Sequence, residues 1–317
     1  MQFVTLALGG RQASGVVING DVLDLTGCVG HLPEAAMIPA TLRGIIQVGD
    51  TAFDLVRRIT EKVASSSALT QNLKDAGALI PFKQAHLLSP IVEPSMVLCC
   101  SLNYREHLKE MNTPVPAKPA AFVKPISSII GSGEPILLPK SNPDMVDWEG
   151  EFCAVIGKPC YNVSKADALD YVAGYTLLND VSARDWIPAL MASTGVMGPI
   201  HAWEQSILGK HFPTFCPIGP TFVTRDEIAN PDAVEMTTTL NGQTMQFANT
   251  NDLVFGVRDL IAHYSQYYRF LPGDVISTGS PSGVGYGRNP KVFMKAGDTI
   301  AVSVNKIGVL SNPIALA

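Results

Sequence analysis

Three carboxylates stand out by type and spacing. In Asp147-Trp148-Glu149-Gly150-Glu151-Phe152-Cys153-Ala154-Val155-Ile156, two glutamates one residue apart lead into an apolar run that reads as a buried strand. Side chains alternate along a strand, so Glu149 and Glu151 face one way while Trp148, Gly150 and Phe152 face the other. At a separation of roughly 6–7 Å, the two charges repel by about 0.6 kcal/mol in water and about 2.5 kcal/mol at an effective dielectric of about 20. Water tolerates this; a half-buried site needs a compensating cation. Spacing alone fits an acidic face on an exposed strand as well. Asp180 adds weight to the buried alternative, because it closes the strand-like run Tyr171-Val172-Ala173-Gly174-Tyr175-Thr176-Leu177-Leu178-Asn179, where a lone charge is costly. Three oxygen donors on strand ends, with no Cys or His at ligand spacing nearby, suit a hard divalent ion, Mg2+, Mn2+ or Ca2+, rather than zinc.

The elements that must position these residues follow from periodicity and turn chemistry. Residues 1 to about 27 read as short strands broken at Gly9-Gly10 and at the hairpin signal Asn19-Gly20. Residues 51 to about 74 read as one or two helices, with Phe53, Val56, Ile59 and Val63 at helical spacing. Neither segment gathers polar residues, so residues 1–90 are expected to form a small, structural N-terminal α+β domain, and residues 91–317 a mainly-β catalytic domain. A buried strand at residues 96–100 precedes a helix for which Asn103 is the expected N-cap, with Glu106 at capping-box spacing. His107 sits at the edge of that helix's apolar stripe, between pocket and water. The proline-rich stretch at residues 113–119, which contains Lys118, ends the helix and has the character of a lid. Residues 186–209, with Met191, Gly195, Gly198 and Pro199, show no clear period and read as an irregular loop. A hairpin is expected around Asn241-Gly242, a long helix over residues 251–270, and a strand from Val275 opening into the glycine loop Gly283-Val284-Gly285-Tyr286-Gly287. No helix follows that loop, so it lacks what a nucleotide cradle requires. Gly279-Ser280-Pro281-Ser282-Gly283 has the wrong spacing for a serine-nucleophile elbow.

Composition narrows the function classes. The 317 residues are 46 % apolar and 16 % charged, which excludes disorder, and the net charge of −5 argues against nucleic acid or an anionic membrane as main partner. The N-terminus reads as a first strand, with neither a secretion signal nor a membrane span. Six cysteines without a CxxC pattern suggest buried thiols in a reducing compartment, with the cytoplasm as the expected location.

Taken together, Leu102-Asn103-Tyr104-Arg105-Glu106-His107, Phe122-Val123-Lys124-Pro125, Glu149-Gly150-Glu151, Asn179 to Asp185 and Ile276 to Gly285 resemble, in order, the motifs of the fumarylacetoacetate hydrolase family. The resemblance implies an α+β, mainly-β fold, with a mixed β-roll or sandwich as C-terminal domain, usually in a homodimer. It implies a Mg2+ or Mn2+ site at Glu149, Glu151 and Asp180, His107 as the base, and Lys210 as a catalytic and substrate-contacting lysine. Arg105, Gly279 and Ser280 complete the substrate-binding set that it implies. Against the family pattern, Lys118 stands where relatives often have a Glu paired with the histidine, Ile187 where some have a Gln, and Pro213 where an acid often follows Lys-x-Phe. The stretch between Arg184 and Lys210 is also longer than usual.

These readings put first a metal-dependent hydrolase of a carbon–carbon bond in an acylpyruvate or related 1,3-dicarbonyl acid. The metal would act as Lewis acid and His107 would activate water. Second stands decarboxylation or keto–enol isomerisation of a 2-oxo diacid such as oxaloacetate, which needs no activated water and tolerates the loss of a Glu beside His107. Third stands a non-hydrolytic biosynthetic or binding member, whose pocket, made more apolar by Ile187 and Pro213, would suit a bulkier ligand.

Overall fold

The computed structural model describes residues 1–188 and 192–317. β-Branched and apolar residues in alternation build the two larger sheets, which pack together, beside a two-stranded ribbon of Val146–Asp147 and Ser182–Ala183. Among the described residues the larger sheet has 12 strands. Its path runs from Leu79–Pro81, Asp21–Asp24, Arg11–Ile18 and Gln2–Leu8 through Cys216–Thr224, Val172–Asn179 and Gly150–Ile156 to Val275–Ser277, Val97–Ser101 and Ala120–Lys124. The sheet is mixed, since Val275–Ser277 runs parallel to Val97–Ser101 while its other neighbour, Gly150–Ile156, is antiparallel. A five-stranded sheet is ordered Gln243–Asn249, Glu235–Leu240, Thr299–Val304, Gly308–Leu316 and Ile136–Leu138. The molecule therefore has the mainly-β α+β architecture expected of a β-roll.

Alternation explains why the acidic strand is buried on both faces. Phe152, Ala154 and Ile156 pack with Met236, Val302 and Val304 of the smaller sheet. Cys153 and Val155 pack into a second core that includes Val56, Ile59 and Val63 of the helix Asp50–Ala64. Only glycine fits at position 150: a Cβ there would collide with Thr238 Oγ1 and lie 3.1 Å from both Val302 methyls. The N-terminal hairpin turns as expected, with Asn19 and Gly20 at φ of 51° and 87°.

Three expectations are corrected. The helix Arg105–Glu110 is not capped by Asn103, whose side chain instead bonds the Phe255 backbone and the Thr278 carbonyl; Asp252 accepts from the Glu106 N–H at 3.0 Å in place of a local cap. The helix over residues 251–270 shortens to Val257–Tyr264, because β-bridges capture its flanks, Leu253 with Tyr104 and Phe270 with Cys160. Residues 197–208, expected to be irregular, form the helix Met197–Leu208. Apolar side chains on both of its faces blur the period that would reveal it. Met191 lies outside the described residues. No described helix is long and apolar enough to cross a membrane.

Candidate active site

Strand register brings the acidic residues together. Gly150 pairs with Asn179 and Glu151 with Leu178, so the next step of the ladder sets Glu149 beside Asp180. Two bonds lock this end: the Asp180 N–H donates to the Glu149 carbonyl at 2.8 Å, and the Glu149 N–H to Asn179 Oδ1 at 2.9 Å. Glu151 lies two residues along the same face. One carboxylate oxygen from each of the three falls within 4.8 Å of the others, and all three residues are buried, at 8 %, 0 % and 1 % exposure for Glu149, Glu151 and Asp180. An exposed acidic face is thereby excluded.

Buried charges of one sign require partners. Lys124, itself fully buried, sits with Nζ 2.5 Å from Asp180 Oδ1. Lys210 Nζ donates to Glu149 Oε2 at 2.6 Å, to Asp180 Oδ2 at 2.7 Å and to Ser182 Oγ at 2.7 Å. Arg184 bonds Glu149 Oε1 and, through Nε, Asp147 Oδ2 at 3.2 Å. Burial would raise the Glu149 carboxyl, but the Lys210 and Arg184 charges outweigh it and hold the group well below the usual range. Glu151 is different. Burial first, then the Asp180 and Glu149 charges, push it well above that range. Its Oε2 accepts from Ser277, while Oε1 is buried and has no hydrogen-bond partner among the described residues. Lys124 and Lys210 balance two of the three carboxylates, and Arg184 is matched by Asp147, so Glu151 is the member of the trio left without a cationic partner. An orphaned carboxylate oxygen within an all-oxygen trio is what a hard divalent ion fits.

His107 is buried, its Nδ1 2.8 Å from Glu110 Oε2. Glu110 is held in turn by the glycine loop, since its Oε1 accepts the Gly283 N–H at 2.9 Å. The histidine therefore does have a carboxylate partner, one turn along its own helix, which corrects the expectation that Lys118 had replaced it. The His-x-x-Glu spacing was the available signal. Lys118 is exposed and does not line the cavity, so the structure gives it no contact with His107. Arg105 also departs from its expected role: its guanidinium bonds the carbonyls of Asp252 and Leu253, away from the cavity. Gly279, at φ 95°, permits close approach to Asn103 and Cys100 without lining the cavity, whereas Ser280 does line it. Ser280 is held by Gln246, whose Nε2 donates to Ser280 Oγ at 3.0 Å and whose Oε1 accepts the Gly150 N–H at 3.0 Å. Glu110, Gln246 and the pairing roles of Lys124 and Arg184 escaped the sequence reading. For Lys124 the signal was a lysine inside an apolar strand, where an unpaired charge is too costly to leave.

A cavity of about 220 Å³ opens onto this cluster. His107, Glu149, Asp180, Arg184 and Lys210 supply its charged lining, and Met111, Phe122, Ile187, Trp203 and Val284 its apolar lining. Ile187 is where the sequence placed it, but Pro213 is exposed and outside the cavity. A larger groove of about 660 Å³ lies between residues 46–57 and residues 157–159. Neither His107 nor any member of the carboxylate trio lines that groove, so the smaller cavity, which His107, Glu149 and Asp180 line, is the candidate site.

Fold and site define an enzyme-like β-roll built around a carboxylate trio and a His–Glu pair. Residues 96–315 match the family model described as fumarylacetoacetate (FAA) hydrolase C-terminal, and the chain belongs to that family. The human mitochondrial oxaloacetate tautomerase FAHD2B is 39 % identical over 277 residues, 87 % of this chain and 80 % of that protein. A 5-carboxymethyl-2-hydroxymuconate delta-isomerase from Mycobacterium smegmatis superposes with a TM-score of 0.70 at 30 % identity, covering 100 % of this chain and 99 % of the other. A maleylpyruvate hydrolase from Sphingobium sp. SYK-6, solved with manganese(II) and pyruvate, superposes with a TM-score of 0.70 at 26 % identity, covering 100 % of both chains.

Proposed function

We propose that this chain is a divalent-cation-dependent keto–enol isomerase of a small 2-oxo acid of the oxaloacetate type. The observation that carries the reading is that His107, paired with Glu110, lines one small cavity together with Glu149 and Asp180 of the carboxylate trio. The isomerase choice draws on the 39 % identical oxaloacetate tautomerase. Glu149, Glu151 and Asp180 would hold the ion, with Mg2+ proposed and Mn2+ as the substitute found in the hydrolase relative. When bound, such an ion supplies Lewis-acid stabilisation of negative charge on the 2-oxo group. The residues of the chain do the rest. Glu110 accepts from His107 Nδ1–H and so fixes the tautomer that leaves Nε2 basic. His107 Nε2, which has no partner among the described residues, takes the proton from the carbon between the two carbonyls and returns it to the enol oxygen. Lys210, whose three N–H donors go to Glu149, Asp180 and Ser182, holds the carboxylates in place and lends its positive charge to the cavity for an anionic substrate, and Ser280 lines the cavity as a hydrogen-bonding contact.

A second reading, hydrolysis of an acylpyruvate, is favoured by the same pair, because a histidine backed by a carboxylate also activates water. The argument for isomerisation from a missing Glu partner does not survive, since Glu110 is present. Decarboxylation of a 2-oxo diacid would use the same site and is told apart by its product.

The deciding experiment gives the Mg2+- or Mn2+-loaded protein enol-oxaloacetate and a set of acylpyruvates, following enol decay, CO2 and free pyruvate separately. Enol loss above the ion-only rate, cut about 100-fold or more in His107→Ala, is expected. Pyruvate release from acylpyruvates without enol turnover would move the assignment to hydrolysis, and no rate above background would end it.

Residues 1–90 are proposed to be structural, since the cavity lining begins at Cys100. A homodimer and a reducing compartment belong to the same proposal. Six free, buried cysteines support the compartment, whether cytoplasm or the mitochondrion named for the human relatives.

A further inference from the structure

The helix Met197–Leu208 contributes to the cavity in a way that its sequence does not announce. Trp203, Ser206 and Lys210 recur at i, i+3 and i+7, the spacing of one helical face, and all three line the cavity. Ile207, next to that face, packs against the core of the larger sheet. A different stripe, Met197, Ile200 and Leu208, is exposed.

The end of this helix is tightly placed. A Cβ at Gly209 would collide with the Trp186 ring, which stacks on Phe212 at 6.5 Å, and the Gly209 carbonyl accepts the Ala183 N–H at 2.9 Å. Lys210 is thereby fixed among the carboxylates. Trp203 stands five residues, about 7.5 Å of helical rise, before the helix end at Leu208, and Lys210 follows two residues beyond that end. That interval has to contain the part of a ligand that extends beyond Lys210, in a cavity of only about 220 Å³.

We infer that Trp203 is a specificity-determining residue. Together with Ile187 and Met111 it closes the cavity beyond the reacting carbons and restricts the site to 2-oxo acids with a short chain. This rests on the 2-oxo acid reading given above and deepens it. The third of the sequence readings pointed the opposite way, since Ile187 and Pro213 suggested a bulkier ligand; Pro213 is outside the cavity, and Trp203 lines it. Trp203 is 47 % exposed, so truncating it opens the cavity while leaving the cores intact. Discrimination by one methylene in an apolar pocket is typically about 10- to 200-fold, enough to read from a chain-length series.

The test measures affinities, independently of turnover, of the Mn2+-loaded protein for straight-chain 2-oxo acids from pyruvate to 2-oxooctanoate by calorimetry. In Trp203→Ala the ratio of 2-oxooctanoate to pyruvate affinity should rise about tenfold or more over wild type, with Trp203→Phe between the two. An unchanged ratio in both variants, or a parallel weakening of every acid, overturns the assignment of Trp203 alone. No binding of pyruvate to the loaded wild type overturns the 2-oxo acid reading, and this inference with it.

Discussion

Glu151 shows at a single residue what the site lacks. Its Oε1 is buried without a partner, and its carboxyl is pushed well above the usual range by burial and by Asp180 and Glu149. A carboxyl raised in the folded protein favours folding below its unfolded value and loses that contribution as pH rises through the folded one. Glu149, held low, has the opposite sign: its contribution is present above the unfolded value and lost as pH falls through the folded one. From about pH 5 upward, therefore, Glu151 is the member of this pair whose ionisation works against the ion-free protein. A divalent ion must displace that proton. We expect Mn2+ binding to release protons, seen as a buffer-dependent calorimetric enthalpy, and the Mn2+-induced rise in Tm to grow with pH over this range. A buffer-independent enthalpy with a flat rise in Tm would count against the trio as the ion site.

At the scale of elements, the glycine loop is a support for side chains of its own chain. Three of its N–H groups are already taken: Gly283 donates to Glu110, Gly285 to Asp147 Oδ1 at 2.6 Å and Tyr286 to Asp147 Oδ2 at 3.1 Å. The sequence excluded a phosphate cradle because no helix follows; the structure adds that these donors hold the partners of His107 and Arg184. Gly287 faces the Glu110 carboxyl, to which an added Cβ would come within 2.7–3.0 Å. Because the flexible end of Glu110 can yield, Gly287→Ala should leave Tm within about 2 °C of wild type, in the range of mild surface changes. It should cut kcat by about tenfold or more through displacement of Glu110 from His107. A fall in Tm with unchanged kcat would make the loop merely structural.

Over the whole molecule, the two cores enclose every thiol. Cys28, Cys99, Cys100, Cys153, Cys160 and Cys216 are free and buried. Burial is the first cause of each upward pKa shift, bringing Cys28 and Cys160 to about 11 and Cys216 to about 12. Only thiolates react rapidly. A thiol reagent at about pH 8 should label none of the six on the timescale in which the unfolded protein labels all. A fast-reacting cysteine in the native protein would show that the cores open locally.

The same division separates what the sequence could determine from what required the folded chain. Short-range patterns were legible: the alternating acidic strand, the Asn-Gly turns, the helices after residue 50 and the three carboxylates, because each is set by neighbours a few residues apart. Antiparallel register could not be read from either strand alone, yet it is what sets Glu149 against Asp180. Nor could the pairing of Lys124 with Asp180, the tie from Gln246 to Ser280, or the capture of Asn103 by the segment around Phe255. Each satisfies a buried polar group with a partner distant in the chain, and only tertiary packing chooses that partner. Trp203 is the clearest case: its helix carries apolar residues on both faces, so which of them points into the cavity was decided by the fit of Gly209 beneath Trp186.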